Sequence, residues 1–288
     1  MVVVLVGWQS LSAADAPAVG RTLQGYSWLF EKMVLLAKRL LLPTGWLYYL
    51  EGGDVKKARS PVVFLHGWAL SSALFHDGLA RLATERRVIG LDWPGFNRSR
   101  VSVANWHYED YAQVISAFVE NLHLSPYHLV GHSTGGAIAI AVAAQYAEQV
   151  RSLTLIDSAG IPLESFWRVA GRKALEIPAQ FMAMPYLRRH LQLLLTVLYN
   201  FIFRAVNTYH CMQLPLYTNL SAYLSRIRAP SLVVWGEHDG MVPIALGRQL
   251  AKNICGATWL ALPNAYHEWS LLQPKLFACV VEDFISQH

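Results

Sequence analysis

Ser133 stands in Gly131-His132-Ser133-Thr134-Gly135, behind the apolar run Tyr127-His128-Leu129-Val130 and ahead of an Ala/Ile-rich segment, 137–147. Strand, sharp turn and helix in that order form the context of a nucleophile elbow. The turn forces its central residue into a strained backbone conformation, so the flanking glycines must let neighbouring backbone pass close by. The serine hydroxyl then projects from the turn, and the following helix aims its positive N-terminal end at any oxyanion formed there. A serine hydroxyl is a poor nucleophile until an imidazole takes its proton, and a carboxylate must orient that imidazole. Two later stretches hold groups of these types: Gly236-Glu237-His238-Asp239-Gly240-Met241-Val242-Pro243 and Asn264-Ala265-Tyr266-His267-Glu268. Asp157, at the end of the strand-like run 153–156, is a rival carboxylate.

The elements that must hold these groups are legible as apolar runs. Pro61-Val62-Val63-Phe64-Leu65 is continuously apolar up to His66-Gly67-Trp68, which implies burial on both faces of a parallel sheet. Strand-like runs recur at 46–50, 87–91, 129–130, 152–156, 231–235 and 258–262, and helical patterns fill 71–84, 108–122, 137–149, 244–252 and 271–286. That alternation predicts βαβ units and a mostly parallel, doubly wound α/β sheet. Residues 161–227 break the pattern with helical, apolar sequence and no strand, and 191–203 carries no Lys, Arg, Asp or Glu. We read it as an inserted helical cap with a basic fringe of Arg168, Arg172, Lys173, Arg188, Arg189 and Arg204. The expected domains are an N-terminal extension (1–45), a first core part (46–160), the cap (161–227) and a second core part (228–288).

In 26–42, Glu31, Lys32, Lys38 and Arg39 fall within one arc at 100° per residue, which predicts an amphipathic helix ended by Pro43-Thr44-Gly45. Its apolar face could pack on the domain or lie in a membrane interface. Met1–Trp8 is apolar but too short to span a bilayer; Ala14-Asp15-Ala16 resembles a cleavage site, although no basic region precedes the apolar run.

Composition excludes other classes. Apolar residues make up 54% of 288 and charged residues 15%, enough for a large core and unlike a disordered chain. Mean hydropathy is +0.28, high for a freely soluble enzyme. The net charge is +5 without a run of Lys/Arg long enough for nucleic acid, so anionic lipid or an anionic substrate suits it better. Cys211, Cys255 and Cys279 lack metal-ligand spacing and read as buried thiols in a reducing, cytoplasmic compartment, with peripheral membrane contact as the variant. His76, His107, His123, His190 and His210 have no metal spacing either.

From Trp46 to the C-terminus, apart from 161–227, the chain resembles the α/β-hydrolase fold superfamily. Five pieces carry the resemblance, in order: His66-Gly67, the turn Asp92-Trp93-Pro94-Gly95, the elbow, Gly236-x-x-Asp239 with Val242-Pro243, and His267. It implies Ser133 as nucleophile, His267 as general base, Asp239 as the acid, with Asp157 as the alternative, and the backbone N–H groups of Trp68 and Thr134 as the oxyanion hole. His66, His132 and Asp92 become structural. Tyr266 departs from the glycine that the family usually has before this histidine. A serine at the elbow argues against dehalogenases and epoxide hydrolases, which carry aspartate there. The implied activity is carboxylic-ester hydrolysis without cofactor or metal, of a monoacylglycerol-lipase-like or lipid-esterase kind. A carbon–carbon hydrolase or thioesterase on the same residues, and a non-catalytic binding protein, are the alternatives.

Overall fold

The computed structural model describes residues 9–10, 33–54, 59–103, 105–163, 165–183 and 186–288. The strands are β1 (Gln9–Ser10), β2 (Leu36–Leu42), β3 (Gly45–Gly52), β4 (Val62–Leu65), β5 (Val88–Asp92), β6 (Arg100–Val101), β7 (Tyr127–His132), β8 (Val150–Ile156), β9 (Ser231–Gly236) and β10 (Thr258–Leu262). The helices are α1 (His76–Leu82), α2 (Tyr108–Asn121), α3 (Thr134–Gln145), α4 (Phe166–Ala183), α5 (Leu187–Phe203), α6 (Ala205–Tyr217), α7 (Ser221–Leu224), α8 (Ile244–Asn253), α9 (Trp269–Leu272) and α10 (Pro274–Ile285).

One sheet runs in the order β1-β10-β9-β8-β7-β4-β5-β3-β2, with β6 beside β3. From β10 to β5 all neighbours are parallel, while β1, β2, β3 and β6 pair antiparallel. Alternate side chains of each central strand enter different cores. Val63, Leu65, Leu129, Val233 and Trp235 belong to one; Val62, Phe64, Val130, Leu232 and Val234 belong to the other. This is why the strands read as continuous apolar runs: both faces are covered. Helix α3 is apolar all round, and only its last residue, Gln145, escapes full burial. Helices α4 to α7 follow β8 and precede β9, with no strand among the described residues between them.

Two expectations fail. Residues 36–42 are not helical; they form β2, paired in register with β3 from Leu36↔Glu51 to Leu42↔Gly45. Pro43-Thr44-Gly45 does not stop a helix but turns a hairpin, and Gly45 has φ +132°, a conformation that disfavours a side chain. The charges that suggested a helix face serve the sheet, since Lys38 Nζ lies 2.6 Å from Glu51 Oε2. Strand pairing outweighs a helical charge pattern once an edge is available. Residues 26–32 of that segment, and Met1–Trp8, lie outside the described residues. Among the cysteines Cys211 and Cys279 are buried, but Cys255 is exposed, contrary to expectation. No single described helix is long and apolar enough to cross a membrane.

The insertion is fastened at several points. Arg189 on α5 pairs with Asp77 at 2.7 Å and donates to Leu271 O at 2.8 Å. Asn200 donates to Ala69 O at 3.0 Å and accepts from Asn97 N at 3.0 Å, which ties α5 to the loops that follow β4 and β5.

Candidate active site

Ser133 caps α3 with φ 54° and ψ −122°, a strained conformation for a non-glycine residue that costs about 1–3 kcal/mol. Its surroundings leave it no alternative. A Cβ at Gly135 would lie 2.4 Å from both His66 O and Leu65 O, and one at Gly131 would lie 2.6 Å from Gly135 O. The Ser133 carbonyl accepts from Gly136 N at 2.9 Å and Ala159 N at 3.0 Å, so the turn is locked from both sides.

Ser133, His267 and Asp239 come from the ends of β7, β10 and β9 and meet in series. His267 Nε2 is 3.1 Å from Ser133 Oγ, and His267 Nδ1 is 2.7 Å from Asp239 Oδ2. In the neutral imidazole this puts the proton on Nδ1, donated to Asp239, and leaves Nε2 to accept from the serine hydroxyl. All three are buried. Burial alone would lower the His267 pKa, but the Asp239 carboxylate outweighs it and raises the value to about 9. Asp239 is itself aimed by its other oxygen, Oδ1, which accepts from Met241 N and Val242 N at 2.8 Å each. Trp235 Nε1–H donates to Val242 O at 2.9 Å and fixes the same turn.

Asp157 does not reach the imidazole by any hydrogen bond of the structure. It has φ 44°, and its Oδ1 accepts from Gly236 N at 2.8 Å, so it braces the end of β9. Its pKa is raised well above the carboxylate range, by burial first and then by the charge of Asp239.

His66-Gly67-Trp68 passes close to the elbow. A Cβ at Gly67 would lie 2.9 Å from His132 Nδ1 and 3.2 Å from Ser133 Cβ. The next residue, Trp68, donates its indole N–H to Thr208 O at 2.8 Å, which holds the ring against the insertion. Thr134 opens α3, so its backbone N–H has no acceptor within the helix. His66 Nδ1–H donates to Gly67 O at 2.8 Å, and burial lowers its pKa to about 3, leaving it neutral. His132 turns from the serine and donates Nε2–H to His267 O at 3.0 Å; burial lowers its pKa also to about 3. Asp92 accepts from Ser72 N and Ser72 Oγ at 2.8 Å each, with its pKa pushed up by burial to about 6. Tyr266 is half-buried, with its ring 5.5 Å from that of His238.

A cavity of about 240 Å³ opens on Ser133. Trp68, Leu163, Phe201, Met212 and Met241 give it apolar walls, and Lys173 is the one charged residue among the described residues that line it. Sequence reasoning assigned Lys173 to a basic fringe, whereas its ammonium is turned inward, 2.6 Å from Glu268 Oε2 and 2.9 Å from Glu176 Oε1. Glu176 was not singled out, and Glu268 was named only as the residue after His267, without a role. Only the position of Glu268 next to His267 could have pointed to either. No group of three or more His, Cys, Asp or Glu among the described residues could hold a metal.

Residues 60–221 match the family model described as alpha/beta hydrolase fold, and the chain belongs to that family. It is 30% identical over 224 residues to the dihydrolipoyllysine-residue acetyltransferase component of the acetoin cleaving system of Pseudomonas putida, covering 72% of this chain and 58% of that protein. It is 25% identical over 252 residues to the monoacylglycerol lipase ABHD6 of Homo sapiens, covering 78% of this chain and 75% of that one. Among solved structures, a membrane phospholipase A described as a bacterial virulence factor superposes with a TM-score of 0.72 at 24% identity, covering 88% of this chain and 86% of the other.

Proposed function

We propose that this hydrolase cleaves carboxylic esters with an apolar acyl part through an acyl-enzyme on Ser133. The hydrogen-bonded series Ser133–His267–Asp239 beside an apolar cavity carries the reading. Ser133 Oγ attacks the ester carbonyl while its proton passes to His267 Nε2, and Asp239 stabilises the imidazolium. The Thr134 and Trp68 N–H groups receive the oxyanion; losing one such donor typically costs about 3–4 kcal/mol. Collapse expels the alcohol, which takes the proton from His267. Water then attacks the acyl-enzyme with His267 as base, and acid and free serine result.

Each methylene buried in the cavity contributes about 0.8 kcal/mol, so its walls select acyl chains by length. The monoacylglycerol lipase among the relatives fits this lipid-like substrate class. We treat 161–227 as the cap that sets this preference and as the contact with an anionic membrane. Seven basic and two acidic residues give that segment a net charge of +5, equal to that of the whole chain. Trp167, Leu175, Met182, Ile202 and Phe203 are exposed on it. Free thiols suit a cytoplasmic face.

Labelling with a fluorophosphonate, followed by peptide mapping, tests the nucleophile. The adduct is expected on Ser133, with Ser133→Ala losing ester hydrolysis by several orders of magnitude while remaining folded. An adduct on any other residue overturns the assignment. Faster turnover of vinylogous diketones than of aryl esters would make the enzyme a carbon–carbon hydrolase instead.

A further inference from the structure

Beside His267 lie three charges that the hydrolytic cycle does not use. Lys173 on α4 touches Glu176 on the same helix and Glu268 on the loop after β10, and their side chains are 16%, 3% and 8% exposed. Removing charges from water is costly, and an apolar trio of similar volume would often be as stable or more so. Stability therefore does not account for the cluster, whereas its hydrogen bonds do. Glu176 Oε2 accepts from Gly240 N at 2.8 Å, and Glu176 Oε1 accepts from His267 N at 3.3 Å. Arg172 Nε donates to Gly240 O at 3.0 Å, one turn earlier on the helix. Both polar groups of the Gly240 residue, the one after Asp239, are thus gripped by α4, and so is the peptide N–H of His267. Ser133 needs no such help, since α3 and the close-packed glycines fix it.

We infer that α4 is the positioning element of the triad: Arg172, Lys173 and Glu176, with Glu268, hold the loops bearing Asp239 and His267 at hydrogen-bonding distance. This rests on the Ser133–His267–Asp239 reading above. The acid and the base sit on loops after two different strands; His238 N donates to Ala265 O at 2.9 Å between those loops, and the Glu176 carboxylate of α4 adds the side-chain tie that reaches Gly240 and His267 themselves. The Lys173 ammonium lies 2.9 Å from that carboxyl and offsets part of the burial that raises its pKa above the ordinary carboxylate value. Burial works against the Glu268 carboxylate, yet Lys173 and then His267 hold its pKa down at about 2, so the ion pair persists across the working pH range. Substrate specificity and triad geometry are therefore set by the same helix, because Val169 and Lys173 of α4 also line the cavity.

The test uses the full chain and a short, neutral aryl ester that fills little of the cavity. Glu176→Ala removes both acceptors. Misplacing reacting groups by about 1 Å costs about 100-fold, so kcat is expected to fall about 10- to 100-fold with KM changed less than about twofold, and fluorophosphonate labelling of Ser133 to slow in parallel. Glu176→Gln keeps one acceptor and should recover part of the loss. The low-field proton resonance of the His267 Nδ1–H bond to Asp239 is expected in the parent and broadened or lost in Glu176→Ala. Should Glu176→Ala fail to fold, the balanced double variant Lys173→Met/Glu268→Gln, which leaves Glu176 in place but removes the ammonium that fixes its carboxylate and the tie to Glu268 beside His267, must show a loss of kcat in the same direction and the same broadening. A folded Glu176→Ala or double variant with parental kcat and an unchanged resonance overturns the inference. In that event an inactive Ser133→Ala would leave the triad itself standing, whereas an active one would remove the triad reading and the clamp with it.

Discussion

Asp239→Asn separates what the carboxylate does from what burial does. The amide is close to isosteric and retains an oxygen that can still accept from Met241 N and Val242 N. Its NH₂ group then faces His267 Nδ1 where a carboxylate oxygen stood 2.7 Å away. Nδ1 must become the acceptor, so Nε2 carries the proton and points it at Ser133. The wrong tautomer cannot act as a base, and the expected loss in turnover is about 10⁴-fold. The pH profile changes as well. In the parent chain His267 is held charged up to about pH 9, and only the neutral ring takes the serine proton. The rate must therefore rise with pH: with that pKa about 1% of the ring is neutral at pH 7 and half at pH 9, a gain of about 50-fold in kcat/KM. In Asp239→Asn the main raising influence is gone while burial, which lowers the pKa, remains, so the limb moves to lower pH. The assay is kcat/KM for a neutral chromogenic ester between about pH 6 and pH 10, with melting curves as a folding control. A variant whose limb stays where the parent's lies, or whose turnover falls less than about tenfold, would refute the argument.

Asp157→Asn keeps the acceptor for Gly236 N and is expected to cost less than about tenfold in turnover. A carboxyl whose pKa folding raises destabilises the protein above its folded pKa and has no effect below its unfolded value; thermal melts should show the asparagine variant gaining stability at pH 8 and none near pH 3. Gly135→Ala places a Cβ 2.4 Å from two backbone oxygens, so α3 must shift by about 1 Å and activity should drop about 100-fold; retention of more than a fifth of the parental rate would be inconsistent with the packing. Co-sedimentation with anionic vesicles should be weakened by salt and lost on Trp167→Asp/Ile202→Asp, while hydrolysis of a water-soluble ester survives; undiminished binding would move the contact elsewhere.

Much of this arrangement was legible because its causes are local. A strand buried on both faces reads as an unbroken apolar run, which gave β4, β8, β9 and β10 nearly to the residue. The elbow was legible because Gly131 answers to a steric demand within five residues, from Gly135 and Gly136, while the demand on Gly135 comes from Leu65 O and His66 O at the end of β4. β2 was not, since Leu36–Leu42 is a strand only by virtue of the edge that β3 offers it. Lys173 and Glu176 were not either: their spacing on α4 is that of any ion pair on an exposed helix, and only the fold brings Glu268, His267 N and Gly240 N to meet them. Asp239 was preferred to Asp157 on the pattern Gly236-x-x-Asp239 with Val242-Pro243, but only the fold brings its carboxylate to 2.7 Å from His267 Nδ1.

The insertion leaves and rejoins the sheet through a narrow neck. Leu163 N donates to Pro215 O at 3.0 Å, and Leu220 N donates to Gly160 O at 2.8 Å, so its two ends lie side by side. The neck would let a short turn join the two strands, although Cys211 and Leu214 of the intervening helices are buried in the core that covers the sheet. Closing the gap with a turn of a few residues would even ease the chain entropy of closure by about 2 kcal/mol. If 161–227 sets the acyl preference as proposed, recombination at the neck is a route to new substrate ranges. The toll is that any incoming segment must bring its own counterpart to Glu176, or inherit a serine whose partners are left loosely held.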